Sequence, residues 1–130
     1  MKKLLFILTY FFSSNFIYAD GSEHVCVVTN SGSSGQACTA SELGYVAPCS
    51  TVAFVVNNLT PPAGYVKVAK FEWFVNGVSV KSTNNITDPI LQWPVKDLTT
   101  NVYCMVTYAK TDGITFSSPY KSTTFSPNVK

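Results

Sequence analysis

Phe71-Glu-Trp-Phe-Val-Asn-Gly-Val-Ser-Val80 is the part of this sequence with the clearest structural meaning. Its two halves are rich in aromatic and β-branched residues, which favour strands. Asn76-Gly77 lies between them, and Asn and Gly tolerate the positive φ angles that both central positions of a type I′ turn require. The stretch therefore predicts a β-hairpin with a tight turn at Asn76-Gly77.

The alternation of apolar and polar residues over 65–75 indicates which side of the first strand faces the core, because successive side chains of a strand point to opposite faces. The more apolar set consists of Lys67, Ala69, Phe71, Trp73 and Val75, and Phe71, Trp73 and Val75 are expected to face the core. The opposite set consists of Val66, Val68, Lys70, Glu72 and Phe74. This pattern puts the two lysines on opposite faces of the strand.

Val102-Tyr-Cys-Met-Val-Thr-Tyr108 predicts a later strand that carries a Cys. A Trp strand followed by a Cys strand is typical of an immunoglobulin-like core. Short strands are also predicted at 25–29, 51–56, 78–82, 90–93, 114–117 and 120–125, and no segment has a helical period. We therefore expect an all-β fold, an immunoglobulin-like two-sheet antiparallel sandwich of about seven strands, with Trp73, Phe71 and Phe54 in its core.

The N-terminus predicts export. Lys2 and Lys3 precede an apolar run, residues 4–12, that is too short to span a bilayer, and Ala19 offers a small residue at the cleavage position. The protein is therefore expected to be secreted or on the cell surface, with no membrane insertion after cleavage. The predicted organisation is a signal peptide at 1–19, an N-terminal strand with a Gly/Ser-rich disulfide-linked loop at 20–49, an Ig-like core at 50–125 and a tail at 126–130.

The charge of the mature chain excludes two classes of partner. Seven lysines and seven acidic residues remain after cleavage, because Lys2 and Lys3 are lost and the sequence contains no Arg. A chain without clustered basic residues is a poor ligand for nucleic acid and for an anionic membrane surface. Its length, close to the common domain size of about 100–150 residues, predicts a single domain.

Two segments together resemble the Ig-like and PKD-like repeats of Bacteroidetes secreted and surface proteins. These are the hairpin at 71–80 and the later Asn101-Val-Tyr-Cys-Met-Val-Thr-Tyr108, and the resemblance covers residues 50–115. It implies a β-sandwich exported to the cell surface or medium, where such domains act mostly as spacers or adhesive modules. The chain departs from the immunoglobulin pattern at Tyr103, which is adjacent to Cys104 instead of two residues before it.

Four cysteines in an exported chain of this size predict two disulfide bonds. In an immunoglobulin-like sandwich, a Cys49–Cys104 bond would cross the core and Cys26 would pair with Cys38. The alternative of Cys38–Cys49 with Cys26–Cys104 is also open, since four cysteines allow three connectivities. A metal site is not expected, because the gaps between the cysteines exceed zinc-site spacings and His24 is the sole histidine.

Catalysis and cofactors are not expected, because an active site needs convergent titratable groups and the acidic residues of this chain are scattered. The leading hypothesis is a non-catalytic adhesion or binding module that recognises a protein or glycan on a surface. Trp93, Tyr65 and Tyr120 are its candidate binding residues, because exposed aromatic side chains often anchor such contacts. The alternative is a structural surface subunit or spacer without its own ligand, self-associating through an edge strand.

Overall fold

The computed structural model describes residues 19–29, 35–84, 89–96 and 100–130. Most of these residues lie in β-strands, which confirms the predicted all-β class. Residues 1–18, with the charged and apolar segments of the predicted signal peptide, lie outside the described part of the chain.

Ten strands and one short helix occur in the described residues. In chain order they are β1 (Ala19–Val28), β2 (Gln36–Ala37), α1 (Ala40–Leu43), β3 (Tyr45–Val46), β4 (Ser50–Asn57), β5 (Lys67–Val75), β6 (Val78–Thr83), β7 (Leu91–Val95), β8 (Val102–Ala109), β9 (Tyr120–Thr123) and β10 (Asn128–Val129). The hairpin between β5 and β6 is confirmed, with positive φ at Asn76 (51°) and Gly77 (81°) as a type I′ turn requires.

The main sheet is continuous, which differs from the two separate sheets that the sequence predicts. Its strand order is β6-β5-β8-β9-β1-β4-β7, and β2 adds to β1. The two halves are joined because β1 pairs in parallel with β9 on one side and antiparallel with β4 on the other. The end strands β6 and β7 also approach each other, since Lys81 Nζ donates to the Ile90 carbonyl over 2.8 Å. The result is a nearly closed, barrel-like mixed sheet.

The described residues form a hydrophobic core in the interior of this sheet. Trp73 and Phe71 of β5 and Phe54 of β4 are all buried in it, as predicted, and Trp73 is 0% exposed. Phe125 packs edge-on against Phe54, with ring centroids 6.1 Å apart. Because β5 buries Phe71, Trp73 and Val75 alternately, the inward face assigned from the sequence pattern is correct for this part of the strand.

The C-terminal segment of the chain is packed against the rest of the fold. The predicted tail contains β10, which pairs in parallel with β3, and Val129 is buried. Lys130 N–H donates to the Val46 carbonyl over 3.0 Å. The tail at 126–130 is therefore part of the packed structure instead of a loose extension.

The helix α1 was not predicted from the sequence. Thr39 caps it, accepting a hydrogen bond from the Glu42 N–H over 3.1 Å. The Glu42 carboxylate in turn accepts from the Cys38 N–H over 3.0 Å. Thr-x-x-Glu is the capping-box pattern, so a sequence signal was present, although the helix is only four residues long.

The structure contains one of the two predicted disulfide bonds. Cys26 and Cys38 are joined, linking β1 to the segment that follows β2. Cys49 and Cys104 are both free, which corrects the expected core-crossing bond. Cys104 points into the core at 0% exposure, whereas Cys49 is exposed at the start of β4, so their side chains do not meet.

We expect the two free cysteines to react at very different rates. Native protein should react with one equivalent of a thiol reagent, at Cys49, because burial raises the pKa of the Cys104 thiol and hides it from reagent. Unfolded protein should react with two. Thiol titration with and without denaturant measures both numbers, with Cys49→Ser expected to remove the fast reaction. If neither cysteine reacts under denaturing conditions, the two form a second disulfide bond and their assignment as free thiols is wrong.

Candidate functional site

A concave surface lies on the outer side of the sheet, over the first residues of β5 and the last residues of β8. It has a volume of about 730 Å³, within the range of about 300–1,000 Å³ that ligand sites occupy. We call this surface the lysine groove; its main polar and aromatic lining residues are Lys67, Lys70, Asn84, Thr107, Phe116 and Ser117.

A β-bulge brings the two lysines together. Lys67 and Lys70 are three residues apart, so a regular strand would point them to opposite faces. The register of β5 against β8 shifts between Val68 and Lys70, and both lysines line the groove. Bulges re-aim side chains in this way beside functional sites. The predicted placement of the two lysines on opposite faces is therefore wrong, because the regular alternation breaks at the bulge.

The groove is electropositive. Among its described lining residues, two are lysines and none is acidic. Lys70 Nζ lies 3.8 Å from Glu72 Oε1, in a partly exposed ion pair. Lys67 is exposed and has no ion-pair or hydrogen-bond partner in the described part of the chain. The groove thus presents at least one ammonium group that is available to a ligand.

Exposed apolar side chains gather at one end of the groove. We call Val66, Ile114 and Phe116 the apolar rim; they are 54%, 79% and 56% exposed. Val66 N–H donates to the Ala109 carbonyl over 2.9 Å, and Phe116 forms an isolated bridge with the same residue. Clustered exposed apolar residues commonly mark an interaction surface.

The turn at 110–115 holds the apolar rim in place. Asp112 accepts hydrogen bonds from the N–H groups of Ile114 and Thr115, both over 2.9 Å, and from the Thr115 hydroxyl over 2.6 Å. These donors, led by the Thr115 hydroxyl, lower the pKa of the Asp112 carboxyl. The carboxylate beside the groove is thereby engaged within its own turn.

The three aromatic residues predicted to bind a ligand do not form a common exposed patch. Trp93, Tyr65 and Tyr120 are each half-buried and packed against the core. Tyr120 meets Tyr108 edge-on at 5.8 Å, and the Tyr65 ring lies 5.3 Å from Lys110 Nζ. Their part in binding stays a prediction, and the exposed aromatic of the groove is Phe116 instead.

A second aromatic feature lies at the opposite end of the same outer face. The rings of Phe74 and Tyr103 stack at a centroid distance of 4.9 Å, and Lys121 Nζ lies 4.6 Å from the Tyr103 ring. These residues face one another across β5, β8 and β9. The contacts are those of cross-strand packing, which stabilises a sheet face, so they need no ligand to explain them.

Buried polar groups form a cluster between β1 and β8. Tyr108 O–H donates to Glu23 Oε2, and Thr60 N–H donates to the Tyr108 hydroxyl over 3.0 Å. Burial is the largest cause of the raised pKa of Tyr108, and the hydrogen bond to the Glu23 carboxyl group is the next largest. Gly21 is required for this packing, because a Cβ there would lie 1.9 Å from Glu23 Oε1. The cluster fastens the loop before β5 to the first strand.

One group of potential metal ligands occurs among the described residues. The potential ligand atoms of His24, Cys26 and Cys38 lie within 4.8 Å of one another, but the two sulfurs form a disulfide and cannot act as thiolate ligands. His24 Nδ1 donates to the Ser22 carbonyl over 3.1 Å. The buried Glu23 accepts the hydrogen bond of the Tyr108 hydroxyl.

Comparison with family models, with curated proteins and with solved structures finds no match for this chain. Within the described residues, no helix has the length and apolar character needed to cross a membrane.

Proposed function

We propose that this chain is an exported, immunoglobulin-like, non-catalytic binding module that recognises its ligand at the lysine groove. The observation that carries the proposal is the groove itself, a concave surface of about 730 Å³ with two lysines re-aimed by a bulge and an exposed aromatic ring at its rim. A ligand site of this kind combines apolar surface with a few polar groups that fix orientation.

The strand pairing supports an immunoglobulin-like assignment. Strands β1, β4 and β7 form one half of the sheet, and β6, β5, β8 and β9 form the other. Both halves contribute to one core, in which Trp73 lies directly opposite Cys104 in the strand register. These features fit a sandwich whose two sheets are joined at one side by the parallel β1–β9 contact.

The edge strands argue against the alternative, a spacer that assembles by strand addition. Pro94 lies in the end strand β7 and lacks the N–H that a neighbouring strand would need. The Lys81 ammonium group donates a hydrogen bond to the Ile90 carbonyl, which lies next to the same strand. Proline and lysine at sheet edges are devices that block association, so a binding role fits this chain better than a self-assembling one.

We expect the double variant Lys67→Gln/Lys70→Gln to weaken ligand binding by at least about tenfold, or about 1.4 kcal/mol. The measurement applies exported protein to an immobilised panel of extracellular glycans and matrix proteins and compares affinities for whichever component the unaltered protein binds. Lys96→Gln/Lys130→Gln is the matched control, because it removes two exposed charges outside the groove. Melting curves establish that all variants are folded.

Two results would overturn this proposal. If the unaltered protein binds no component of the panel, whether it is monomeric or self-associates, the spacer alternative is correct. If the groove variant binds normally while Trp93→Ala loses binding without a change in melting temperature, the site lies at β7, as the sequence analysis expected.

A further inference from the structure

We infer that the ligand of the lysine groove is an acidic polysaccharide, with sugar carboxylates paired to Lys67 and Lys70 and one sugar ring against Phe116. This inference rests on the proposed function and adds the chemical class of the ligand. It follows from the charge of the groove, from the hydrogen-bonding groups that line it, and from the exposed aromatic ring at its rim.

Charge complementarity selects an anionic ligand. Among the described residues, two ammonium groups and no carboxylate line the groove, and Asp112 in the adjoining turn accepts hydrogen bonds from Thr115 and Ile114. The Lys70–Glu72 contact of 3.8 Å is partly exposed to solvent, and such surface pairs contribute little. A ligand carboxylate can therefore compete for Lys70 at small cost while also pairing with Lys67.

An acidic peptide is the competing ligand, and extended peptides gain much of their affinity by adding a strand to a sheet edge. Among the described residues, β5 pairs with β6 only from Phe71 onward, so residues 67–70 pair with β8 alone. The polar groups of the groove, however, are side chains on the outer face of the sheet, with Lys70 opposite Thr107 in the register. A ligand held by side chains over this face suits a carbohydrate better than an added strand.

The remaining lining groups match the other parts of a sugar. Thr107 and Asn84 offer a hydroxyl and an amide that carry no hydrogen bond within the described structure, and each can both donate and accept. Phe116 exposes its ring at the rim, where an aromatic face can cover the apolar face of a sugar. Carboxylate, hydroxyl and apolar-face contacts thus lie around one groove.

Isothermal titration calorimetry with tetragalacturonate, its fully methyl-esterified form and hexaglutamate tests the inference. Tetragalacturonate should bind, the neutral ester should bind at least about tenfold more weakly, and added salt should weaken the charged ligand only. Lys67→Gln/Lys70→Gln should lower the affinity for tetragalacturonate at least about tenfold. Phe116→Ala should lower it about threefold to tenfold. Lys96→Gln/Lys130→Gln should stay within about twofold.

Each other outcome is decisive. Equal binding of the methyl ester would show that charge is not recognised, and equal, lysine-dependent binding of hexaglutamate would identify the ligand as an acidic peptide. If tetragalacturonate does not bind but the groove variant loses binding on the panel, the ligand class is wrong and the binding module stands. If the groove variant changes neither measurement, the inference and the proposed function fail together.

Discussion

Trp73→Ala is expected to lower the free energy of unfolding by about 3–5 kcal/mol, the usual cost of emptying a large buried aromatic site. Trp73 is completely buried, and it lies on the strand that pairs with both β6 and β8. A domain with a total stability of about 5–15 kcal/mol would be left marginal or unfolded. Equilibrium urea denaturation, with the Cys26–Cys38 bond intact, measures the loss.

Two further variants separate packing from other effects. Val78→Ala, on the same hairpin but 63% exposed, should change stability by less than about 0.5 kcal/mol. Trp73→Phe should cost less than Trp73→Ala, since it keeps an aromatic ring and the indole N–H has no hydrogen-bond partner in the described structure. A Trp73→Ala loss under about 1 kcal/mol would place the ring at the surface and reverse the faces of β5.

The hairpin around this residue shows what the sequence determines by itself. The side-chain period of a strand is two, so alternation near Trp73 is enough to assign its inner face. The turn at Asn76-Gly77 is equally local, because its positive φ angles depend on those two residues. Local rules of this kind give the strands and much of the core.

The lysine groove could not be predicted because it depends on a break in that local rule. The register shift between Val68 and Lys70 arises from pairing with β8, and nothing in the β5 sequence marks it. The parallel contact of β1 with β9 is similar, since it joins Ala19 to Tyr120 across almost the whole chain. Long-range pairing also decides that Cys104 packs opposite Trp73 as a free thiol.

The burial of Glu23 is a further feature that could not be predicted from the sequence. A carboxylate is almost never fully buried unless it is paired, so its sequence position suggests a solvent face. In the structure it is 1% exposed and bonded to Tyr108, a residue far along the chain. The acidic residues are scattered along the sequence, but folding brings Glu23 against Tyr108. This polar contact stabilises the fold, and its contribution can be measured.

Tyr108→Phe is expected to lower the free energy of unfolding by about 1–3 kcal/mol at neutral pH, because it takes the hydroxyl donor away from the buried Glu23 carboxyl group. The Thr60 N–H loses its acceptor at 3.0 Å and keeps the longer contact of 3.4 Å to Glu23 Oε2. Tyr103→Phe is the matched control, since that half-buried hydroxyl makes no hydrogen bond within the described residues. It should cost less than about 0.5 kcal/mol.

The difference between unaltered protein and Tyr108→Phe should also shrink as the pH rises. Folding raises the pKa of Tyr108 above its ordinary value of 10.0, chiefly by burial, so the folded state holds the phenolic proton more tightly than the unfolded state does. This contribution is complete below about pH 10 and is lost progressively above it, and the Phe variant has no such group to lose. Urea denaturation at about pH 7, 9 and 11 follows the change. A difference that stays constant through pH 11 would mean that Tyr108 ionises as readily in the fold as in the unfolded chain, and the buried Glu23–Tyr108 contact would then be wrong.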